Sequence, residues 1–250
     1  MIFAIANQKG GVSKTTTTVN LGQALYEMGN KILLVDLDPQ GSLTLSVGLE
    51  PAYLEQTVYD VLIGNADIRD VIDCTGDMHI LPSNIDLSAA EAELLTEIGR
   101  ESILGNKLKE VKSEYDYVLI DCPPSLGLLT INAMAACDGV IAPVSPDFLS
   151  LRGLVQLSNT INRVKVLNPR MGLVGVLITM LDQRTLHDRD AVDIIQSQYK
   201  TFSTTIRRAV AIKDSATAGQ SILQYDPSHD VSEAYRELAR EVLAWAKDRT

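Results

Sequence analysis

A glycine-rich segment near the start of the chain has the residue types of a phosphate-binding loop. It runs Lys9-Gly10-Gly11-Val12-Ser13-Lys14-Thr15-Thr16. A triphosphate is best held by several backbone N–H groups that converge at a helix N-terminus, with a lysine ammonium where charge builds up. Gly10 and Gly11 would supply the turn, Lys14 would reach the β- and γ-phosphates, and the Thr15 hydroxyl would coordinate Mg²⁺. The segment therefore predicts a nucleotide site, with residues 9–16 as its candidate ligands.

Acidic residues follow two of the apolar runs, in positions where they could serve the same site. Asp36 and Asp38 end the run that begins at residue 32, and Asp121 ends the run that begins at residue 117. In an α/β fold, acids at the carboxyl ends of strands lie beside the phosphate loop, where they can bind Mg²⁺ or orient water. The alternative, aspartates in solvated turns, stays open, most of all for Asp36.

Short apolar and β-branched runs alternate with helical patterns along the chain. Most of the runs are apolar on both faces, as buried parallel strands must be. A helix is predicted over residues 14–28, because apolar residues recur there at helical spacing and Gly29 is a good helix-ending residue. The predicted fold is α/β of the P-loop NTPase type: a doubly wound, mostly parallel sheet with helices on both faces. The predicted strands are residues 2–6, 32–35, 79–81, 117–120, 139–142 and 173–179.

Nothing in the sequence divides the chain into separately folding pieces, since it has no repeat, low-complexity tract or linker. With 250 residues, 46% of them hydrophobic, the chain is long enough for one large domain over residues 1–250. The apolar start is too short for a signal peptide or a membrane span, so we expect a cytoplasmic protein. Cys74, Cys122 and Cys137 form no C-x-x-C pair, so disulfides and a zinc site are not expected.

Charge is distributed unevenly along the chain. Net charge is −10, which argues against a uniformly basic nucleic-acid binder. Residues 1–150 carry 8 Lys and Arg against 21 Asp and Glu, whereas residues 151–250 carry 14 against 11. Any contact with a polyanion is therefore expected in the C-terminal part. The amphipathic segment 231–245 has an acidic as well as a basic polar face, which favours a helix docked on the domain over a membrane anchor.

The motifs together resemble the ParA/Soj family of partition ATPases, within the wider MinD-like group. The loop misses the general pattern G-x-x-x-x-G-K-[ST], because Gln8 and Ser13 occupy its glycine positions. It fits the deviant Walker A pattern K-G-G-x-G-K-[ST]-T except at Ser13, so residues 1–250 are expected to form a single deviant Walker A ATPase domain. The stretches that carry the resemblance are residues 9–16, 34–41, 117–127, 177–182 and 225–227.

The resemblance implies roles for individual residues. Lys9 resembles the family's signature lysine, which reaches the partner subunit's nucleotide in an ATP-bound sandwich dimer. Asp38 matches the acid that orients the attacking water, and Asp121 the Walker B acid that acts on Mg²⁺. Residues 123–127 resemble the switch that senses the γ-phosphate, and Pro227 a position near the base. The implied cofactors are ATP and Mg²⁺, with catalytic roles for Lys9, Lys14 and Asp38 and metal roles for Thr15, Asp38 and Asp121.

The sequence also departs from the family pattern in its loop and in its basic residues. Ser13 replaces a glycine, and a positive φ there would cost about 1–2 kcal/mol. In the surface that the resemblance implies for DNA, Arg184 and Arg208 match basic positions, whereas Ala211 stands where relatives often carry arginine, with Lys213 close by. Arg207 stands where relatives often have proline. The candidate DNA contacts are Arg184, Arg207, Arg208 and Lys213, and a merely solvated basic face stays open.

The resemblance implies an ATPase that dimerises around two ATP molecules, binds DNA nonspecifically in that state, and is released when a ParB-like or other cargo adaptor stimulates hydrolysis. Since the chain starts directly at its first predicted strand, it resembles the short family members without an N-terminal DNA-reading domain. We expect no membrane partner and a nucleoid-associated location in the ATP state. Two alternatives stay open: a MinD-like membrane-cycling ATPase, and a biosynthetic ATP-dependent synthetase of related fold. The cargo is open among plasmid, chromosome and protein organelle.

Overall fold

The described part of the chain, in a computed structural model, comprises residues 1–182 and 186–249. Its strands are β1 (Ile2–Ile5), β2 (Ile32–Asp36), β3 (Asp73–Thr75), β4 (Met78–Leu81), β5 (Tyr117–Asp121), β6 (Gly139–Val144), β7 (Gly172–Leu181) and β8 (Thr201–Arg207). Its α-helices are α1 (Lys14–Glu27), α2 (Ser42–Ser46), α3 (Val58–Ile63), α4 (Ile68–Val71), α5 (Leu87–Leu94), α6 (Ile103–Val111), α7 (Leu128–Ala136), α8 (Phe148–Val164), α9 (Leu186–Gln198), α10 (Ala211–Thr217), α11 (Ile222–Tyr225) and α12 (Asp230–Lys247). Short 3₁₀ turns lie at Pro51–Tyr53, Arg100–Ser102 and Lys112–Glu114.

The strands form one sheet in the order β3-β4-β2-β5-β1-β6-β7-β8. Neighbouring strands pair in parallel, except that β3 and β4 pair antiparallel. The carboxyl ends of parallel strands share one side of a sheet, which we call the carboxyl edge. Because β2, β5 and β1 are adjacent, the three segments that carry the sequence motifs meet side by side at this edge.

Helices cover both faces of the sheet. On one face, α1, α11 and α12 pack against the strands and enclose a core that includes Phe3, Leu25 and Tyr235. On the other face, α3–α9 enclose a second core that includes Leu108, Met134 and Leu157. The predicted fold, a doubly wound and mostly parallel α/β sheet, is confirmed.

The C-terminal helix α12 is docked on the sheet. The centroid of the Trp245 ring in α12 lies 5.7 Å from the centroid of the Phe3 ring. A Cβ on Gly139 would come within 2.8 Å of the Trp245 ring, so this close approach requires glycine. The buried residues of the apolar face are Val231, Tyr235, Leu238 and Val242. This agrees with the prediction of a docked helix, and no helix in residues 1–182 and 186–249 is long and apolar enough to span a membrane.

The strand predictions missed both outer strands. Every predicted strand is present, but β3 and β8 were not predicted, because β3 is short and β8 is mostly polar, with only Phe202 and Ile206 of its residues buried. The predicted helix over residues 14–28 is α1, which ends at Glu27. Gly29 adopts a φ of 87° just beyond it, as expected for a helix-ending glycine.

Candidate nucleotide-binding site

The glycine-rich segment joins β1 to α1 and is tied to two strands beside it. Asn7 Nδ2 donates a hydrogen bond to Pro143 O of β6 (2.7 Å), and Asn7 Oδ1 accepts one from Lys9 N (3.0 Å). Thr179 Oγ1 of β7 donates to Val12 O (3.1 Å). Asn7, Val12 and Thr179 are buried. The sheet therefore fixes the shape of the loop independently of any ligand.

The loop contains two residues with a left-handed backbone, on either side of Val12. Gly11 has a φ of 71° and Ser13 a φ of 68°. Ser13 thus has the positive φ that a glycine would adopt without strain, and its left-handed conformation costs about 1–2 kcal/mol. Met180, at the end of β7, also has a positive φ of 55°. Ser13 and Met180 line the same cavity, so the strained backbone is concentrated at one site.

An open cavity of about 360 Å³ lies in front of the loop. The first backbone hydrogen bond of α1 runs from Thr17 N to Ser13 O, which leaves the N–H groups of residues 14–16 without an intrahelical acceptor. These groups and the positive end of the helix dipole suit the phosphates of a nucleotide. The cavity is lined by Gly10, Gly11, Ser13, Lys14, Thr15, Thr16, Asp38, Ser42, Ser46, Pro124 and Met180.

Lys14 is the buried cation of the site, with 7% of its surface exposed. Its Nζ donates to Lys9 O (3.2 Å), a neutral carbonyl of the loop. Burial lowers the pKa of Lys14, and the charge of Asp121 opposes this shift. Because its hydrogen-bonded acceptor is neutral, the ammonium charge is available to an anionic ligand in the cavity.

Two of the three residues predicted for Mg²⁺, Thr15 and Asp121, are hydrogen-bonded to each other, and the metal role of Asp38 stays a prediction. Thr15 Oγ1 donates to Asp121 Oδ2 (2.6 Å), and Thr18 Oγ1 lies 3.5 Å from Asp121 Oδ1. Burial, then the charge of Asp36, raise the pKa of Asp121 well above its usual value. Within the described residues no three or more Asp, Glu, His and Cys side chains form a metal cluster. A hydroxyl and a carboxylate fit Mg²⁺ shared with phosphates and water, which is how this ion is usually held.

The two acids after β2 have different surroundings. Asp36 is fully buried, and its carboxylate accepts from Asp38 N (3.0 Å), Thr44 N (2.9 Å) and Thr44 Oγ1 (2.9 Å). Burial raises the pKa of Asp36 to about 6, although these hydrogen bonds oppose the shift. Asp36 is thus a buried structural group rather than a solvated turn residue. Asp38 lines the cavity, and its Oδ1 accepts from Gln40 N (3.0 Å).

The Lys9 side chain makes its contacts with residues of its own chain. Its Nζ forms an ion pair with Asp147 Oδ2 (2.5 Å) and lies within 3.4 Å of Ser145 Oγ and 3.3 Å of Ser150 Oγ. Burial would raise the pKa of Asp147, but the bonds from Lys9 and the two serines lower it to about 2. In this conformation Lys9 does not line the cavity. Its predicted reach to a partner subunit would require this ion pair to break.

The segment predicted as a switch borders the cavity through Pro124. Its end is fixed by α7, because Thr130 Oγ1 donates to Ser125 O (2.7 Å). Gly127 packs against Glu91, whose Oε1 would lie 2.4 Å from a Cβ at that position. One side of this segment thus faces the nucleotide cavity while its other end rests on α5 and α7.

The structure does not bring Pro227 to the site. Pro227 O accepts from Arg236 Nη1 (2.9 Å), and the same guanidinium forms an ion pair with Glu27, the last residue of α1. Lys14 is the first residue of this 14-residue helix. At about 1.5 Å per residue, the two ends of α1 are roughly 20 Å apart. Pro227 is thus tied to the far end of α1 and does not line the cavity, and its place near the base stays a prediction.

The predicted DNA contacts form a short basic segment, which we define as Arg207, Arg208 and Lys213. Arg207 ends β8 at the carboxyl edge, and Lys213 lies on α10. All three side chains are exposed and make no hydrogen bond or ion pair within residues 1–182 and 186–249. Arg184 lies outside the described residues.

Four residues of the site were missed from the sequence. Asn7 and Thr179 fix the loop, Asp147 holds Lys9, and Met180 lines the cavity. A polar residue at the end of an otherwise apolar strand, as at positions 7 and 179, is the signal that could have indicated the first two. No comparable signal marks Asp147, since an aspartate that begins a helix is common.

Comparisons with known proteins agree with the geometry. The sequence profile of the AAA_31 family, an AAA domain, matches residues 1–173. The sporulation initiation inhibitor protein Soj of Bacillus subtilis is 46% identical, over 97% of this chain and 98% of its own. The chromosome partitioning protein ParA of Caulobacter vibrioides is 41% identical, over 99% of this chain and 96% of its own.

A solved structure extends the comparison to three dimensions. Cobyrinic acid a,c-diamide synthase from Mycobacterium smegmatis, with bound ADP and magnesium, is 40% identical. It superimposes with a TM-score of 0.88 over 100% of this chain and 96% of its own. Both sequence and fold thus match partition proteins and a nucleotide-bound relative. The chain therefore belongs to the AAA_31 family and, within it, to the ParA/Soj group of partition ATPases.

Proposed function

We propose that this chain hydrolyses ATP with Mg²⁺ in a nucleotide sandwich dimer and so partitions or positions a cargo while bound nonspecifically to DNA. Membership of the ParA/Soj group supports this function. The observation that carries it is that Lys14 and Thr15 line one open cavity at the N-terminus of α1, with the buried Asp121 hydrogen-bonded to Thr15. The single sheet that runs from β1 to β8 supports one ATPase domain over residues 1–250.

The proposal assigns specific roles to residues in and beside the cavity. The N–H groups of residues 10–16 bind the phosphates, and Lys14 balances charge at the β- and γ-phosphates. Thr15 and Asp121 hold Mg²⁺, which when bound neutralises charge on these phosphates. Asp38 lies at the rim of the cavity, where its carboxylate can orient a water molecule toward the γ-phosphate.

Dimerisation would link nucleotide binding to DNA binding. Lys9 leaves Asp147 and reaches the nucleotide of the partner chain. The basic segment of one chain offers few cations, so its DNA affinity is weak alone and rises when two copies share one surface. A ParB-like or other cargo adaptor then ends the cycle by stimulating hydrolysis. The chain would act in the cytoplasm, on the nucleoid in its ATP state.

Light scattering with ATP or ADP, with and without Mg²⁺, tests the nucleotide cycle. The wild-type chain should form dimers with Mg²⁺ and ATP only. Asp38→Ala should still bind ATP, hydrolyse it about 100-fold more slowly and accumulate as dimers, because it lacks only the group that orients water. A chain that stays monomeric in both variants, or an unchanged turnover in Asp38→Ala, would contradict the proposal.

A biosynthetic synthetase is the second candidate, because the cobyrinic acid a,c-diamide synthase has the same fold at 40% identity. Such an enzyme couples ATP to a carboxylate substrate. Measuring ATPase stimulation by DNA plus adaptor and by small carboxylates separates the two. Stimulation only by a carboxylate with an ammonia donor would favour the synthetase.

A membrane-cycling ATPase is less well supported, because the sheet covers the apolar face of α12. Pelleting with anionic liposomes in the ATP state tests it directly. We expect no cosedimentation. The protein encoded by the neighbouring reading frame, assayed for ATPase stimulation, would identify the cargo as plasmid, chromosome or protein organelle.

A further inference from the structure

Buried side chains form hydrogen bonds with both the N–H and the carbonyl oxygen of Asp38. Its N–H donates to Asp36 Oδ1 (3.0 Å), and its carbonyl oxygen accepts from Ser83 Oγ (2.9 Å). The same carbonyl accepts from Gly41 N (2.9 Å), which closes the turn that follows Asp38. Both polar groups of this residue's main chain are therefore bound by fixed partners, while its carboxylate faces the cavity.

Thr44 connects Asp36 with Ser83, the two residues whose side chains bind the main chain of Asp38. Its hydroxyl donates to Asp36 Oδ2 (2.9 Å) and accepts from Ser83 N (2.9 Å). Its own N–H also donates to Asp36 Oδ2 (2.9 Å). The hydrogen bonds thus close a ring through Asp36, Asp38, Ser83 and Thr44, which we call the Asp38 clamp. Asp36, Thr44 and Ser83 each have 0% of their surface exposed.

The topology explains why these residues meet. β2 and β4 pair in parallel, with Val35 opposite Leu81, so the segments after both strands emerge together at the carboxyl edge. Ser83 follows β4 and Thr44 lies on α2, and neither lines the nucleotide cavity. Their side-chain hydrogen bonds reach the site through the main chain of Asp38 and the carboxylate of Asp36.

We propose that Ser83 and Thr44 are positioning residues that fix the main chain of Asp38, and with it the carboxylate that orients water for hydrolysis. The inference rests on the proposed role of Asp38. Displacement of a catalytic group by about 1 Å can lower a rate by up to 100-fold. Loss of one member of the ring leaves a buried partner unpaired and lets the turn move. Phosphate contacts from the loop and Lys14 do not depend on the clamp.

Three substitutions test the clamp against a matched control. Ser83→Ala removes the bond to Asp38 O, and Thr44→Val removes the hydroxyl while it keeps the shape of the side chain. Thr44→Ser restores the hydroxyl. Ser88→Ala is the control, because Ser88 is exposed on α5 and its side chain makes no hydrogen bond in the described part.

Ser83→Ala and Thr44→Val should lower ATP turnover about 10-fold and change the ATP Kd less than about 2-fold. Thr44→Ser and Ser88→Ala should retain wild-type turnover. Hydrogen exchange in the nucleotide-free protein gives a readout independent of activity: the amides of Asp38 and Gly41 should exchange about 10-fold faster in Ser83→Ala than in the wild-type chain. If Ser83→Ala is too unstable to assay, the Thr44→Val and Thr44→Ser pair decides, and equal turnover in these two overturns the proposal.

A double variant separates positioning from general loss of stability. In an Asp38→Ala background, Ser83→Ala should cause no further loss of turnover, because the positioned carboxylate is already gone. A further loss of the same size overturns the clamp. Wild-type turnover in Ser83→Ala beside slow turnover in Asp38→Ala overturns the clamp alone, whereas wild-type turnover in Asp38→Ala overturns the proposed role of Asp38 and the clamp with it.

Discussion

The phosphate loop and the basic segment lie at the same edge of the sheet but are built in opposite ways. In and beside the loop, Asn7, Lys14 and the β5 residue Asp121 are buried and each is hydrogen-bonded within the chain. In the basic segment, Arg208 and Lys213 are exposed and bonded to nothing in residues 1–182 and 186–249. Folding alone prepares the first region for its ligand. The second needs another molecule, or a second copy of the chain, to gain affinity.

The largest effect is expected from the prepared region. Lys14→Ala should weaken ATP binding by roughly 100-fold or more, because it removes the buried ammonium that meets the phosphates. Titration with a fluorescent ATP analogue measures this change. Lys31→Ala, an exposed lysine after α1, is the matched control and should bind normally. Wild-type affinity in Lys14→Ala would remove the central assignment of the site.

The basic segment should respond through DNA instead of nucleotide. Arg208→Glu combined with Lys213→Glu should weaken DNA binding at least about 10-fold and reduce its salt dependence, because fewer counterions are released. ATP-driven dimerisation should persist. The double variant Lys109→Glu with Lys112→Glu makes the same charge change on the other face of the sheet and should bind DNA nearly as the wild type does. Normal DNA binding by the first variant, or equal wild-type binding without ATP, would place the DNA surface elsewhere.

The ion pair of Lys9 with Asp147 lies between these two extremes, since both side chains are partly exposed. Such pairs contribute about 0.2–1 kcal/mol each, and two of them break per dimer, so Asp147→Asn should lower the protein concentration needed for ATP-driven dimers by at most about 30-fold. Asparagine can still accept the bond from Ser150 N that begins α8. Asp67→Asn, at the start of α4, is the control. Weaker dimerisation of Asp147→Asn would show that Asp147 assists Lys9 in the dimer.

The pH dependence of this pair has a definite sign. The pKa of the Asp147 carboxyl in the folded chain is about 2, below the usual 3.8. A lowered carboxyl pKa stabilises the fold above the unfolded-state pKa, and this contribution is lost as the pH falls through the folded value. Dimerisation between about pH 6 and 8 should therefore not respond to the titration of Asp147.

The smallest effect is expected at Ser13. Ser13→Gly removes a left-handed cost of about 1–2 kcal/mol but adds freedom to the unfolded chain, for a net gain of roughly 0.5–1 kcal/mol. The Tm should rise by about 2–4 °C per kcal/mol for a chain of this size. Ser158→Gly, in the middle of α8, should lower the Tm instead. A fall in Tm for Ser13→Gly would show that the hydroxyl stabilises the loop.

Contiguous motifs were predictable from the sequence, and contacts between distant residues were not. Residues 9–16 and Asp121 could be assigned because type and spacing together define a phosphate loop and a strand-end acid. Asn7 contacts Pro143 across 136 residues, and Thr179 contacts Val12 across 167 residues. Asparagine and threonine are too common for either residue to indicate such a contact from the sequence. The same holds for Ser83, which reaches Asp38 across 45 residues.

The missed strand and the unpredicted contact of Pro227 have physical causes too. β8 was missed because only Phe202 and Ile206 of its seven residues are buried, so its polar sequence does not resemble the continuous apolar runs of the inner strands. Pro227 was assigned by resemblance alone, and no periodicity or spacing could reveal that its carbonyl binds Arg236 at the far end of α1.

The position of β1 in the sheet also sets the order in which the chain can acquire its site during synthesis. β1 is made first, but its neighbours are β5 and β6, which begin at residues 117 and 139. The loop after β1 gains its last tie from Thr179, and closing such long-range contacts is slow. We therefore expect a nascent chain that has not yet released β7 from the ribosome to carry the whole phosphate-binding motif without its shape. Nucleotide binding should begin only when most of the domain has been made.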